Sequence, residues 1–151
     1  PNAMKKLNDL KLTKIIKNSK SKKKIIGICL GMQLLFEESY EFKKTIGLGL
    51  FRGSIINLQK NKVIPNVGWQ QVLYKKSKNN NSYVNYDKKN FYFVHSYYAN
   101  NIEKNNLVLY SKLKKKIIPA FVRKNKIYGF QFHPEKSGEI GLNLLEEVLK
   151  Q

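Results

Sequence analysis

The single cysteine of the chain lies in a local sequence that is typical of a catalytic nucleophile. Cys29 follows the apolar, β-branched run 24–28 and precedes residues 32–38, whose composition favours a helix. A buried strand that turns sharply into a helix is the context of a nucleophile elbow. Gly27 and Gly31 flank the cysteine where a sharp turn and close strand–helix packing would leave no room for a Cβ atom. We therefore predict that Cys29 is a nucleophile at a strand–helix turn.

The helix expected after Cys29 would also change the chemistry of its thiol. The positive end of a helix dipole favours the thiolate over the thiol. The backbone N–H of Leu30 would point to where an oxyanion forms. The alternative is that Cys29 is a small buried apolar side chain, which is the commoner role of a lone cysteine. The flanking glycines favour the nucleophile.

His133 is the second group that could take part in catalysis. It follows residues 127–132, which are typical of a strand with three aromatic side chains on one face, Tyr128, Phe130 and Phe132. Pro134 biases His133 toward an extended conformation, in which residues i and i+2 point the same way. His133 and Glu135 can therefore lie side by side, so that a carboxylate orients the imidazole of a base for the cysteine. The alternative is a capping or surface histidine followed by an acid in the first turn of a helix.

Four stretches of the sequence together resemble one known family. They are 27–36, with Gly-Ile-Cys-Leu-Gly-Met-Gln, 65–69, with Pro-Asn-Val-Gly-Trp, 93–98, with Phe-Val-His-Ser-Tyr-Tyr, and 129–138, with His-Pro-Glu-Lys-Ser-Gly. The cysteine and histidine stretches resemble the class I (triad) glutamine amidotransferases, and all four are similar to the glutaminase subunits of imidazole glycerol phosphate synthases. The resemblance covers nearly the whole chain. It implies an α/β fold, a flavodoxin-like three-layer arrangement around a central mixed sheet.

The resemblance gives the reactive residues the same roles as the chemistry above. Cys29 is the implied nucleophile, His133 the base and Glu135 its orienting carboxylate, while the Leu30 N–H is the implied oxyanion donor. The residues implied to contact the substrate glutamine are Gly31, Gln33, His95, Ser96 and Tyr97. Two alternatives stay open. Gln33 can be a surface side chain one helical turn after the cysteine, and His95 can be a structural histidine.

The implied reaction is the hydrolysis of glutamine to glutamate and ammonia. Because free ammonia is useful only if it is delivered, the resemblance implies a partner, the (β/α)8 cyclase subunit that uses ammonia in histidine biosynthesis. Trp69 and Lys136 are the residues expected at that interface. The chain departs modestly from the family's usual form at Asn66, Val67 and Gln70. A paralogous subunit that supplies ammonia for surface-sugar amidation is therefore the alternative. No cofactor is implied.

Residues 1–17 carry a helical stripe of apolar side chains that includes Met4, Leu7 and Leu10, and Asn2 is a candidate cap. In the family, a helix of this kind follows a Pro-Gly-Val-Gly oxyanion loop. The resemblance therefore implies that an N-terminal βα portion is missing from the chain. One of two oxyanion donors would be missing with it.

Composition limits the classes of function. The 151 residues suit one domain, 1–151, and 42% apolar content is typical of a globular protein. The net charge of +19 comes almost entirely from lysine, since arginine occurs only at Arg52 and Arg123. This favours solvated faces, and a basic module that binds RNA or another anionic polymer is the alternative. The lone cysteine excludes an internal disulfide and fits the cytoplasm, and the sequence has neither a transmembrane run nor a cluster of metal ligands.

The remaining sequence predicts a run of strands that ends in a helix. Strands are expected at 53–59, 91–94, 107–110, 119–124 and 127–132, the helix after Cys29 should end near Tyr40, and another should cover 137–149 with Ser137 as its cap. The side chains of this last helix predicted to face inward are Leu142, Leu145, Val148 and Leu149. Residues 46–51 and 65–69 are interpreted as turns, and the Asn-rich stretch 75–89 as a mobile loop.

Overall fold

The computed structural model describes residues 1–58, 65–76 and 78–151. Within them the α-helices are α1 (Asn2–Asp9), α2 (Leu12–Ser19), α3 (Leu30–Leu34) and α4 (Gly138–Lys150). The strands are β1 (Ile25–Ile28), β2 (Phe36–Ser39), β3 (Thr45–Ile46), β4 (Phe51–Asn57), β5 (Asn66–Tyr74), β6 (Asn90–His95), β7 (Tyr97–Asn100), β8 (Leu107–Leu113), β9 (Lys116–Lys124) and β10 (Ile127–Phe130). Segments of 3₁₀ helix lie at Lys78–Tyr86, Lys104–Asn106 and Pro134–Lys136.

Six strands form the main sheet, in the order β1-β10-β9-β8-β5-β6. The pairing of β1 with β10 is parallel, with Gly27 beside Gly129, and the other pairs are antiparallel. β9 and β10 form a hairpin whose turn contains Asn125 at φ 55°, a left-handed conformation that asparagine tolerates well. Because β1 and β10 run the same way, their carboxyl ends meet at one edge of the sheet.

Helices cover both faces of this sheet. On one face, Tyr128 and Phe130 of β10 pack in a core cluster with Leu144 and Val148 of α4. On the other face, Ile127 belongs to a cluster that contains Met4 of α1, Met32 of α3 and Val122. The alternation of side chains along a strand explains how one short strand contributes to both clusters. The result is the three-layer α/β arrangement that was predicted.

A second, smaller sheet has the order β3-β2-β4-β7, with β2 parallel to β4. It continues from the main sheet because β7 begins two residues after the end of β6. Between them, the Ser96 carbonyl accepts a hydrogen bond from the Leu58 N–H, 2.9 Å away. The junction at residues 95–97 is therefore held by both sheets.

Two helix predictions were wrong. The stripe over 1–17 is not one helix, because Lys11 has φ 58° and separates α1 from α2, and Pro1, not Asn2, occupies the cap position of α1. The helix after Cys29 ends at Leu34 and is followed by β2, so it does not reach Tyr40. Phe36 is fully buried against Phe51, with ring centroids 5.5 Å apart. Tertiary pairing with β4 thus overrides the helical composition.

The prediction of a compact turn at 65–69 was also wrong, because these residues lead into β5 and pair with β6 over Asn66 to Gln71. The stretch 75–89, as far as it is described, is not a free loop. Tyr83 and Tyr86 are buried in the main core, and the Tyr83 ring lies edge-on to Phe121 with centroids 5.0 Å apart. The asparagine-rich composition of this stretch gave no indication that these two tyrosines belong to the core.

The other predicted elements are present, with different ends. The strands predicted at 91–94, 107–110, 119–124 and 127–132 correspond to β6, β8, β9 and β10, and 53–59 corresponds to β4, with residue 59 outside the described residues. In α4, Val148 is buried as predicted, but Leu142 and Leu149 are more than half exposed and Leu144 takes the inward position instead. Among the described helices, none has the length and hydropathy of a transmembrane span.

Candidate active site

The site lies at the edge of the sheet where β1 and β10 end. The Cys29 N–H extends the strand ladder by donating to the Phe130 carbonyl, 2.6 Å away. His133 lies three residues after Phe130, and its N–H donates to the Tyr92 carbonyl of β6 at 2.9 Å. β6 also contacts the cysteine, since the Cys29 thiol donates to the Val94 carbonyl across 3.5 Å. The parallel pairing and β6 together bring the predicted nucleophile and base to one edge.

Cys29 adopts a backbone conformation that few side chains tolerate. Its φ of 51° and ψ of −107° lie outside the common regions, and such strain costs about 1–3 kcal/mol. The strand is packed tightly against α3 here. A Cβ atom on Gly27 would lie 2.6 Å from the backbone carbon and oxygen of Gly31. The close strand–helix packing predicted at Gly27 is therefore present, and the strained turn is the geometry of a nucleophile elbow.

Gly31 differs from Gly27. A Cβ atom on Gly31 would meet no atom within 4 Å, so the prediction that this glycine leaves no room for a side chain was wrong. The first turn of α3 faces open space at this position. Only one of the two glycines is sterically required by the elbow.

The electrostatic surroundings of Cys29 also differ from the prediction. Burial raises the pKa of the Cys29 thiol, and the carboxylates of Glu135 and Glu41 raise that pKa further. The Leu30 N–H, which hydrogen-bonds the sulfur, acts in the opposite direction but does not outweigh burial. α3 has only five residues. The expectation of a stabilised thiolate was therefore wrong, and Cys29 needs a base to remove its proton.

The rate of Cys29 alkylation by iodoacetamide should rise with pH along a curve whose midpoint lies above that of an ordinary cysteine. The reason is that only the thiolate reacts and the pKa of this thiol is raised. Glu135→Gln removes a negative charge near the sulfur and should lower the midpoint, while Glu139→Gln on the exposed start of α4 should not. Intact-mass measurements across pH test this. A wild-type midpoint below that of free cysteine would contradict it.

His133 and Glu135 are in direct contact. His133 Nδ1 lies 2.7 Å from Glu135 Oε1, which leaves Nε2 for a proton from another group. His133 is extended, with φ −98° and ψ 99°, as Pro134 predicts, whereas Pro134–Lys136 forms a 3₁₀ turn. The geometry is that of a base and its orienting carboxylate.

Ser137 holds the histidine segment in place and does not cap α4 through its side chain. Its hydroxyl donates to the His133 carbonyl at 2.6 Å and accepts from the Tyr92 N–H at 3.0 Å. The side chain is almost fully buried. Ser137 occupies the N-cap position of α4 as predicted, but its hydroxyl joins the histidine segment to β6 and makes no capping hydrogen bond.

A cavity of about 340 Å³ opens beside the cysteine. Its lining contains most of the predicted substrate residues together with several that were not predicted: Cys29, Leu30, Gln33, Glu41, Phe42, Pro65, Val94, His95, Ser96 and Tyr97. Gly31 is not part of this lining. A volume of this size falls within the range of small-molecule sites, and Cys29 is part of the lining.

The polar side chains at the cavity are held by hydrogen bonds. The Gln33 Nε2 group donates to the Tyr97 carbonyl at 2.9 Å and to Gln131 Oε1 at 3.2 Å. His95 has two partners, since Nε2 lies 3.0 Å from the Asn66 amide nitrogen and Nδ1 lies 2.9 Å from the Tyr97 carbonyl oxygen. Burial lowers the pKa of His95. A neutral imidazole with both nitrogens bonded fits the structural alternative for His95.

Glu41 is one of the residues of this cavity that the sequence did not reveal. Among the described residues that line the cavity, it is the one carboxylate. Its sequence neighbours Glu37 and Glu38 are equally acidic, so composition could not single it out. Among the described residues, no group of three or more His, Cys, Asp or Glu side chains is arranged to hold a metal ion.

Trp69 and Lys136 lie outside the cavity, on the surface. Trp69 is 58% exposed, which excludes a core role, and its neighbour Val67 is 54% exposed. The Trp69 ring lies edge-on to Tyr92, with centroids 5.9 Å apart. Because the Tyr92 backbone also bonds His133 and Ser137, this surface is connected directly to the histidine segment.

Comparisons with known proteins agree with this geometry. The model of the family described as glutamine amidotransferase class-I matches residues 5–150. The chain is 41% identical to the imidazole glycerol phosphate synthase subunit HisH of Lactococcus lactis over 152 residues, which cover 100% of this chain and 74% of that protein. It is 46% identical to the same subunit of Caldanaerobacter subterraneus over 131 residues, 82% of this chain and 60% of that protein. A solved glutamine amidotransferase shares the fold with a TM-score of 0.68, at 13% identity over 96% of this chain and 71% of that one.

A three-layer fold with a cysteine elbow and a histidine–carboxylate pair at the same edge of the sheet is the arrangement expected of a glutamine amidotransferase. The chain belongs to the glutamine amidotransferase class-I family and, within it, groups with the HisH subunits of imidazole glycerol phosphate synthases. The predicted family, fold class and enzyme class are therefore confirmed. The roles of individual residues remain predictions.

Proposed function

We propose that the chain is the glutaminase subunit of an imidazole glycerol phosphate synthase. In this role it hydrolyses glutamine to glutamate and ammonia, and the ammonia passes to a cyclase subunit for histidine biosynthesis. The observation that carries the proposal is the strained Cys29 elbow at the same sheet edge as the His133–Glu135 pair. The HisH relatives support this assignment over the paralogous sugar-amidating subunits.

The reaction proceeds in two halves. Cys29 Sγ attacks the side-chain amide carbon of glutamine while His133 Nε2 takes the thiol proton, and the oxyanion forms beside the Leu30 N–H. Ammonia leaves with the proton from His133, which gives a thioester. Water then attacks the thioester and gives its proton to His133, and glutamate leaves as the proton returns to the sulfur. Glu135 keeps Nδ1 protonated and stabilises the positive charge on the imidazole.

Glu41 orients the substrate in this scheme. The α-ammonium group of glutamine requires an anionic or carbonyl partner, and Glu41 is the carboxylate that lines the cavity. The same charge raises the pKa of the Cys29 thiol. Binding of the ammonium group neutralises Glu41 and thereby removes one of the forces that oppose thiol ionisation.

Glu41→Gln should raise the KM for glutamine by roughly 10- to 100-fold, because a charge-assisted hydrogen bond is worth about 1.5–3 kcal/mol. The change in kcat should be smaller, since Glu41 contacts the part of the substrate that does not react. Steady-state assays of glutamate release measure both constants. Glu146→Gln is the matched control, because Glu146 pairs with Lys150 on the exposed face of α4. An unchanged KM for glutamine in Glu41→Gln would show that Glu41 does not bind the substrate.

The partner is a cyclase subunit that docks on the surface carrying Val67, Trp69 and Lys136. An exposed tryptophan beside an exposed valine is typical of an interface anchor. The connection of this surface to His133 through Tyr92 gives the partner a short route to the catalytic histidine. Docking there would also shield ammonia from solvent as it leaves the cysteine.

Labelling with the diazo-ketone analogue of glutamine, followed by intact mass and peptide mapping, tests the proposal. A single adduct on Cys29 is expected, blocked by excess glutamine and formed faster when the cyclase subunit is present. Trp69→Ala should remove the acceleration by the cyclase but keep the glutamine-protected adduct. Absence of a glutamine-protected adduct in both samples would overturn the enzyme assignment for this chain.

A further inference from the structure

The burial of the Gln131 side chain costs free energy of folding. Its side chain is fully buried, and its Nε2 group has no hydrogen-bond partner within the described residues. A buried donor without a partner destabilises a protein. The residue lies between two core aromatics, Phe130 and Phe132, and side chains alternate along an extended chain. An apolar side chain at position 131 would avoid the cost, so the amide needs an explanation.

The presence of an amide at position 131 is explained by the hydrogen bond that its oxygen accepts. Gln131 Oε1 accepts a hydrogen bond from Gln33 Nε2 at 3.2 Å, and the Tyr97 carbonyl accepts from the same nitrogen at 2.9 Å. A backbone carbonyl can only accept, so the nitrogen of Gln33 must face these two groups. Because the amide is planar, Gln33 Oε1 is turned to the opposite side. Gln33 lines the cavity together with Cys29 and Glu41.

We propose that Gln131 is a positioning residue that fixes the side-chain amide of Gln33, so that Gln33 Oε1 accepts a hydrogen bond from the α-ammonium group of the substrate. This inference rests on the proposed glutaminase function. Gln33 Oε1 and the Glu41 carboxylate then form a pair of acceptors for one ammonium group. Without Gln131, the Gln33 amide loses one of its two acceptors, and its oxygen is no longer held toward the cavity.

The inference predicts a specific combination of effects for Gln131→Met. Thermal stability should stay equal or rise, because the substitution removes an unpaired buried amide while keeping the length of the side chain. Labelling of Cys29 by the diazo-ketone analogue, which carries the α-amino group of glutamine, should slow by roughly 10-fold. Labelling by iodoacetamide, which lacks that group, should stay within about 2-fold, since the thiol and its surroundings are unchanged.

Three further single variants and one double variant separate this role from a structural one. Gln71→Met on the exposed part of β5 is the matched control and should leave both reagents unaffected. Gln131→Glu keeps the accepting oxygen and should label more like the wild type than Gln131→Met does. Gln33→Met should show the same selective loss, and adding Gln131→Met to it should cause no further loss, because both changes remove one interaction.

Several results would overturn the inference. If Gln131→Met slowed Cys29 labelling equally with the diazo-ketone analogue and with iodoacetamide, Gln131 would be a structural residue only. If labelling by both reagents were unchanged, Gln131 would have no role in recognising the substrate. A Gln131→Met protein that fails to fold, or additive losses in the double variant, would contradict it as well. Failure of the proposed function is distinguishable, because the wild-type chain itself would then give no glutamine-protected adduct.

Discussion

Replacing Cys29 with alanine is expected to abolish glutamine hydrolysis, with a loss in kcat on the order of 10⁴- to 10⁶-fold. No other group in the cavity lining can form the thioester, and the chain has no second cysteine. Glutamate release by the chain in complex with the proposed cyclase partner measures the loss. The diazo-ketone adduct should disappear in the same variant.

The control for this prediction is ammonia itself. With ammonium salt in place of glutamine, the complex containing the alanine variant should still catalyse the cyclase reaction, since the substitution leaves the fold and the docking surface of the variant unchanged. An alanine variant that kept more than roughly one hundredth of the glutaminase rate would show that Cys29 is not the nucleophile.

Cys29→Gly adds a stability measurement at the same position. The conformation at φ 51° and ψ −107° strains any residue with a Cβ atom, whereas glycine adopts it readily. The glycine variant should therefore melt about 2–4 °C above the alanine variant, for a difference of about 1 kcal/mol. Equal melting temperatures would indicate that the elbow stores no strain.

Gly27→Ala is expected to destabilise the protein by about 1–3 kcal/mol and to lower kcat by about 100-fold or more. The new methyl group would lie 2.6–2.7 Å from backbone atoms of Gly31 and Met32, which cannot rotate away. Relief requires α3 to move off β1, and the Leu30 N–H and Cys29 move with it. Thermal denaturation and glutamate release measure the two effects.

Gly31→Ala is the matched control for stability. Its Cβ atom would meet no atom within 4 Å, and alanine is favoured over glycine inside a helix by about 0.5–1 kcal/mol. The melting temperature of Gly31→Ala should therefore equal or exceed that of the wild type. If both alanine variants were equally destabilised, the tight contact at Gly27 would not be what holds the elbow.

The sequence was most informative where chemistry and local backbone geometry require the same residues. Gly27 lies within a β-branched run and Cys29 follows it, and this order alone predicted a strand, a sharp turn and a helix. Pro134 likewise predicted the extended backbone of His133. These features depend on neighbours within a few positions, which a sequence displays directly.

Features that depend on distant residues were missed. The raised pKa of Cys29 arises from burial and from Glu135 and Glu41, none of which can be inferred from the residues beside the cysteine. β2 replaced a predicted helix because Phe36 pairs with β4, and Tyr83 is a core residue inside a polar stretch. In each case a long-range contact outweighs local preference.

The parallel ladder between β1 and β10 also sets the order in which the site is assembled. It joins segments about 100 residues apart in the chain, so the entropy of closing a long loop opposes the formation of these contacts. Cys29 leaves the ribosome long before His133, so a growing chain carries a buried-type thiol with no base beside it. The two groups that the proposed hydrolysis requires are therefore brought together only when the sheet closes.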